Sequence, residues 1–190
     1  MSHGPRYTTC VMSISEEKKT TKASCSSVKG DTYNVMFLCN HNSCRSQMAE
    51  GWARNILKRE KKETRVGVAS AGIAHGTSIR EGAITVMKEV GIDITNQTSD
   101  GIDEYSSKNF THVVAMCGCT KKLTGEKSSW RQRSFWADWN LDDPPKIDKG
   151  DLEEYRRVRD ECKDRVGKLL NDIFERLESD GPSASSPITK

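Results

Sequence analysis

The chain has 190 residues, of which 34% are hydrophobic and 30% charged, with a formal net charge of +3. That length suits one domain with a full core, and the charge is too small to argue for nucleic acid or a membrane surface as partner. No apolar run reaches bilayer length, and Met1 to Ser13 lacks the apolar core of a secretory signal.

Residues 1–32 are rich in Ser, Thr and Lys without periodicity and read as a flexible arm. An organelle signal in this arm is the lesser reading, since Glu16 and Glu17 count against it. Tyr33 to Leu38 reads as a first buried strand, and Gln47 to Lys61 as a helix. Its stripes are Met48, Trp52 and Ile56, with Ala49, Ala53 and Leu57 beside them. Arg65 to Ser70 is a second short strand ending at Ala71-Gly72. Ser78 opens a second helix, where Ser78 and Glu81 have capping-box spacing, and Gly91 can close it in a left-handed conformation. Phe110 to Met116 and Phe135 to Trp139 are the third and fourth strands. Asp151 to Leu177 is a long amphipathic helix with Leu152, Tyr155, Val158, Cys162, Val166, Leu169, Ile173 and Leu177 on one face. Residues 179–190 hold two prolines and several serines and read as a disordered tail, leaving 33–178 as the folded domain.

This alternation predicts an α/β fold, a mostly parallel four-stranded sheet with helices on both faces. Ligand sites in such sheets lie at the carboxyl ends of the strands. Cys39 follows the first strand and Cys117 the third, so both belong at one edge.

The stretch Cys39-Asn40-His41-Asn42-Ser43-Cys44-Arg45-Ser46 carries the main chemical signal. A loop entering a helix N-terminus gathers free backbone N–H groups and positive potential, which suits a tetrahedral oxyanion. Cys39 would lie at the floor, where the same field favours the thiolate, and Arg45 would offer a planar fork to two oxygens. Ser46 can cap a helix N–H or donate to the Cys39 sulfur. Cys44 reads as packing under the loop or as a backup thiol, and His41 as added charge or a solvent-facing residue. Asp143, in Asp142-Asp143-Pro144, is the candidate general acid, with Trp136 and Trp139 placed to wall it from water or simply to fill the core.

Seven cysteines and no export signal argue for a reducing compartment and a cytoplasmic location. Zinc fits poorly, because Cys117 and Cys119 stand too close together for paired ligands and no paired-histidine spacing accompanies them. A disulfide between them would close a small ring that is easily reduced, which suits a transient catalytic bond. Cys162 reads as core. Cys10, Cys25, His75 and His112 show no partner.

The run from Cys39 to Gly51, with Ser70-Ala71-Gly72, Thr98-Ser99-Asp100 and Asp143-Pro144, resembles the arsenate reductases built on the low-molecular-weight protein tyrosine phosphatase fold. The resemblance covers Tyr33 to Leu177. It implies Cys39 as nucleophile, Arg45 as oxyanion ligand and Asp143 as general acid, with Asn40 to Ser46 cradling arsenate. It further implies a relay in which Cys117 attacks Cys39 and Cys119 then attacks Cys117. The close spacing of Cys117 and Cys119 resembles the cyanobacterial type, which draws electrons from glutathione and glutaredoxin, whereas many relatives use thioredoxin. Some members bind potassium at positions matching Asn42, Glu50, Ser70 and Asp100, all oxygen-bearing here as a hard cation requires. Two rivals stand beside this reading. A tyrosine-phosphate hydrolase would use Cys39, Arg45 and Asp143 alone, and a non-catalytic oxyanion-binding or interaction protein would need neither Asp143 nor the later cysteines.

Overall fold

The computed structural model describes residues 33–74, 78–118, 121, 123–133 and 135–179. The proposed arm (1–32), nearly all of the tail, Cys10, Cys25, His75 and Cys119 lie outside these residues. The elements run β1 (Tyr33–Cys39), α1 (Arg45–Glu60), β2 (Val66–Gly72), α2 (Glu81–Glu89), β3 (His112–Ala115), β4 (Phe135–Asp138), α3 (Pro144–Ile147) and α4 (Glu153–Ser179). The four strands form one parallel sheet in the order β2-β1-β3-β4. The chain leaves β1 toward β2 on one side and later returns to β3 on the other. The crevice at the carboxyl ends of β1 and β3 is therefore the topological switch point, where a parallel sheet opens a site.

Side-chain alternation along β1 divides the core. Val35, Phe37 and Cys39 face a layer made by α1, α2 and α4, whose buried residues include Met48, Trp52, Val86, Met87, Val158, Val166 and Ile173. Met36 and Leu38 face the other way, onto Ala69, Ala71, Ile102, Val113, Leu123 and Trp130. The two helical layers are unequal: the second face is covered by short 3-10 segments, Ile102–Glu104 and Gly125–Gln132 among them, rather than by α-helix. The predicted stripes of α1 are buried as expected. On α4 the buried face also takes in Leu170 and Arg159, while Leu152 precedes the helix with φ 65°.

Helix ends differ from the sequence expectation. α2 starts at Glu81 with Arg80 at its N-cap and no side-chain cap bond, so Ser78 does not form the capping box. The reason is that the Arg80 N–H is already drawn to the Ser43 carbonyl, at 2.7 Å, which fixes where the chain turns into the helix. Gly91 does adopt the left-handed conformation, at φ 76°. Gly51 on α1 is a packing requirement, because a Cβ there would lie 2.7 Å from Ile94 and 3.0 Å from Met87. No helix among the described residues is long and apolar enough to cross a membrane.

His112, without an evident partner in the sequence, is a core residue of the sheet. Its ring stacks on Phe135 with centroids 5.0 Å apart and tilts against Tyr33 at 5.5 Å, while Nδ1 meets Thr111 Oγ1 at 2.9 Å. Burial, and secondarily the charge of Arg176, pulls its pKa down to about 4. The unfolded chain, with an ordinary imidazole near about 6.5, takes up the proton first. Stability should therefore fall as pH drops from about 6.5 to about 4, by about 3 kcal/mol from this residue. Urea titrations across that range should show a smaller loss for His112→Phe than for the parent protein.

Candidate active site

The loop from Cys39 to Cys44 is held by its carbonyls. Cys39 O accepts from Ile73 N at 3.0 Å, Asn40 O from Ala74 N at 2.8 Å and Ser43 O from Arg80 N at 2.7 Å. His41 O accepts from Ser99 Oγ at 3.2 Å, Asn42 O from Gln47 Nε2 at 3.0 Å and Cys44 O from Met48 N at 2.9 Å. In a trans peptide the N–H points opposite to the carbonyl before it. Binding each of these carbonyls on the outside turns the amides of the following residues toward the centre of the loop. One such amide, Asn42 N–H, donates to Cys39 Sγ at 3.0 Å. The sulfur thus sits at the focus of the cradle, almost fully buried.

Asn42 is the knot of this arrangement. It is fully buried and left-handed, at φ 51°. Asp100 N–H donates to its Oδ1 at 2.7 Å, which fixes the orientation of the amide, since a backbone N–H can only donate. Gln47 Nε2 donates to the same oxygen at 3.0 Å. The Asn42 amide nitrogen then donates to Ser70 Oγ at 2.7 Å and to Ser46 Oγ at 2.9 Å. Ser46 Oγ lies 2.9 Å from Cys39 Sγ. With its lone pair engaged by Asn42, the Ser46 hydroxyl proton is available to a Cys39 thiolate, giving the sulfur two donors. Ser46 serves the sulfur rather than capping α1, whose N-cap is Cys44.

Gly72 allows the loop to close on β2. A Cβ there would stand 2.7 Å from Ala74 O, 2.9 Å from His41 C and 3.1 Å from Asn42 N, all backbone atoms of the cradle and its support. Gln47 is the residue that sequence reasoning passed over. It is fully buried and also donates to Thr98 O at 2.7 Å, while Gln97 Nε2 donates to its Oε1 at 2.6 Å. A polar residue beside the apolar stripes of α1 was the available signal.

Arg45 is 8% exposed and reaches across to the loop that follows β4. Its Nη1 donates to Leu141 O at 2.9 Å, and its Nη2 pairs with Asp143 Oδ1 at 3.0 Å. The predicted acid and the predicted oxyanion ligand are therefore in contact, with Lys146 also 3.3 Å from Asp143 Oδ2. Asp143 is the N-cap of α3, extended ahead of Pro144. The tryptophans do not form one wall. Trp139 tilts against Phe37 on the helical side of the sheet, whereas Trp136 joins the opposite core cluster.

The thiols divide by environment. Burial, and secondarily the nearby Cys39, pushes the Cys44 thiol well above its ordinary value, and burial does the same to Cys162. Both stay protonated, which makes them packing residues at neutral pH. Cys39, Cys44 and Cys162 are free thiols. Cys117 is disulfide-bonded, follows β3 and packs against the core cluster that contains Cys39. Leu38 stands opposite Ala115, and Met116 N donates to Leu38 O at 2.7 Å, so the chain emerges from β1 and β3 side by side. Asn40 and His41 meet each other through their side chains at the surface, Asn40 Nδ2 lying 2.9 Å from His41 Nε2.

The four oxygen-bearing residues expected for potassium are engaged otherwise. Asn42 Oδ1 already accepts two N–H bonds, Glu50 is paired with Arg54 at 2.6 Å, and Tyr105 donates to Asp100 Oδ2 at 2.7 Å. Ser70 Oγ accepts from Asn42 Nδ2 at 2.7 Å, and the proposed mechanism routes no step through potassium. Among the described residues no cluster of three His, Cys, Asp or Glu side chains could hold a metal.

The cradle's dependence on Gly72 is testable. Gly72→Ala should weaken phosphate binding at least about tenfold in calorimetric titration and cost about 1–3 kcal/mol of stability. Gly167→Ala, inside α4 where the added Cβ would meet nothing within 4 Å, should leave phosphate binding unchanged and raise stability by about 0.5–1 kcal/mol.

Comparison with known proteins identifies relatives of this fold. Residues 34–181 match the family model of low molecular weight phosphotyrosine protein phosphatase. A glutaredoxin arsenate reductase of Synechocystis is 41% identical over 139 residues, covering 73% of this chain and 97% of that protein. An arsenate reductase of Bacillus subtilis is 43% identical over 145 residues, covering 74% and 94%. A solved arsenate reductase in its phosphate-binding state superposes with a TM-score of 0.63 at 37% identity, over 75% of this chain and 99% of that one. With the family model matching residues 34–181 and these relatives covering about three quarters of the chain, the chain belongs to the low molecular weight phosphotyrosine protein phosphatase family.

Proposed function

We propose that this protein is an arsenate reductase that passes electrons through three thiols to arsenic. The observation that carries the reading is the emergence of Cys39 and Cys117 from neighbouring strands of one sheet, at the mouth of an anion cradle. A hydrolase of phosphate esters needs the cradle, Arg45 and Asp143 but no second thiol beside the first. The naming of close relatives as arsenate reductases supports the same choice.

In the proposed cycle arsenate enters the loop, and its oxygens take the inward amides of Asn40 to Ser46 and the guanidinium of Arg45. The anion competes for the Arg45 fork that Asp143 holds in the free protein, leaving the acid beside the departing oxygen. Cys39 thiolate attacks arsenic(V), the Asp143 proton goes to the leaving oxygen, and water departs. Cys117 thiolate then attacks Cys39 Sγ. The sulfur–arsenic electron pair stays on arsenic, which leaves as arsenite, arsenic(III), and a Cys39–Cys117 disulfide forms. Cys119 thiolate attacks Cys117 Sγ, frees Cys39 and closes the Cys117–Cys119 ring. An external thiol reductant opens that ring and returns both thiols. Each of the last steps is a thiolate displacement governed by access and thiolate fraction.

The reductant we propose is glutathione with glutaredoxin, supported by the close spacing of the two later cysteines and by the named Synechocystis relative. The site of action we propose is the cytoplasm, where such thiols remain reduced.

Arsenate turnover by the purified protein tests the scheme. Parent enzyme with glutathione and glutaredoxin should turn over faster than with thioredoxin and its reductase. Cys117→Ser and Cys119→Ser should each abolish multiple turnover, and Asp143→Asn should lower it by about 10²–10⁴-fold. Undiminished arsenate turnover in both serine variants would overturn the relay, and rapid hydrolysis of aryl phosphates with no arsenate turnover would favour the phosphatase.

A further inference from the structure

Asp138 ends β4 and plays no part in the chemistry above, yet its carboxylate grips two loops at once. One oxygen, Oδ1, accepts the Gly118 N–H at 3.0 Å and the Asn140 N–H at 3.0 Å. Gly118 lies between Cys117 and Cys119. Asn140 leads through Leu141 to Asp143, in the loop that holds Arg45. Both gripped residues are in the left-handed region, Gly118 at φ 58° and Asn140 at φ 47°. A non-glycine residue held there needs its surroundings to fix it, and an N–H bonded to a carboxylate is a strong local restraint. The fit is close: a Cβ on Gly118 would stand 2.8 Å from Asn140 Oδ1.

We infer that Asp138 is a positioning residue for the thiol relay, holding the backbone between Cys117 and Cys119 so that Cys117 is aimed at Cys39. This rests on the arsenate-reductase reading. Positioning is what a displacement between three sulfurs demands, because the attacking sulfur must approach along the axis of the bond it breaks. The cradle does not rely on Asp138. Leu141, whose carbonyl binds Arg45, is anchored separately by its own N–H to Met116 O at 2.8 Å. The relay step and the anion-binding step should therefore come apart on substitution.

The test is single-turnover arsenite release from fully reduced protein with no external reductant, followed as a function of arsenate concentration. Asp138→Ala should slow maximal release about tenfold or more, the scale of one lost charge-assisted hydrogen bond, with an unchanged half-saturating arsenate concentration. Asp138→Asn keeps an acceptor oxygen for the same N–H groups and should recover the rate to within about threefold of the parent. An Asp138→Ala rate equal to the parent, a matching rise in the half-saturating concentration, or no rescue by Asn would each overturn the inference while leaving the reductase standing. If the parent protein itself releases no arsenite, the reductase reading fails and the inference falls with it.

Discussion

The carbonyls of Cys39 through Cys44 all accept hydrogen bonds from outside their loop, and the rest of the site depends on that constraint. A peptide chain left to itself would scatter these dipoles. Here β2's exit, the start of α2, Gln47 and Ser99 draw the carbonyls outward, and peptide planarity then turns the amides inward. The positive field is thus prepared before any anion arrives, with little reorganisation left for the moment of reaction. Gly72 and the left-handed Asn42 are the local conditions for closing the loop so tightly, and both stand where a larger or differently shaped residue would collide or lose several bonds.

The same constraint sorts the cysteines. Cys39 Sγ receives a backbone N–H and lies against a hydroxyl, so a negative sulfur has partners. Cys44, five residues on, points into the core, where burial works against its thiolate. Cys162 lies on the buried face of α4 with its sulfur 3.9 Å from the Arg45 carbonyl, and it too is held neutral by burial. The two cysteines inside the signature stretch are thereby given opposite roles by the direction in which the backbone aims them.

Much of this was legible in the chain. Apolar runs and helical stripes located the sheet and the α1 and α4 faces, because burial on one side imposes periodicity. The oxyanion loop was legible because its chemistry is local, a strand, a short loop and a helix in unbroken sequence. The pairing of Arg45 with Asp143 was expected only as a shared function. Their 3.0 Å contact comes from tertiary structure, through a loop nearly a hundred positions away along the chain. What was not legible had no local signature. Ser78 and Glu81 have the spacing of a cap, but the Arg80 N–H is taken by Ser43 O, and a long-range bond overrides a local motif. Gln47 and Asp138 look like ordinary polar residues until the partners of their amide and carboxylate groups are seen. Trp136 within β4 and Trp139 just after it straddle the sheet because residues three apart along an extended chain face opposite sides.

In the proposed relay the cradle is the first station rather than the whole of the active site. Trapping the intermediate tests it most directly. Reduced Cys119→Ser protein given one equivalent of arsenate, quenched by alkylation and digested, should yield one arsenite per chain. Mass spectrometry should then find a peptide pair joined through Cys39 and Cys117. Arsenite formed without that cross-link, or a Cys39 that remains fully alkylated after arsenate exposure, would contradict it.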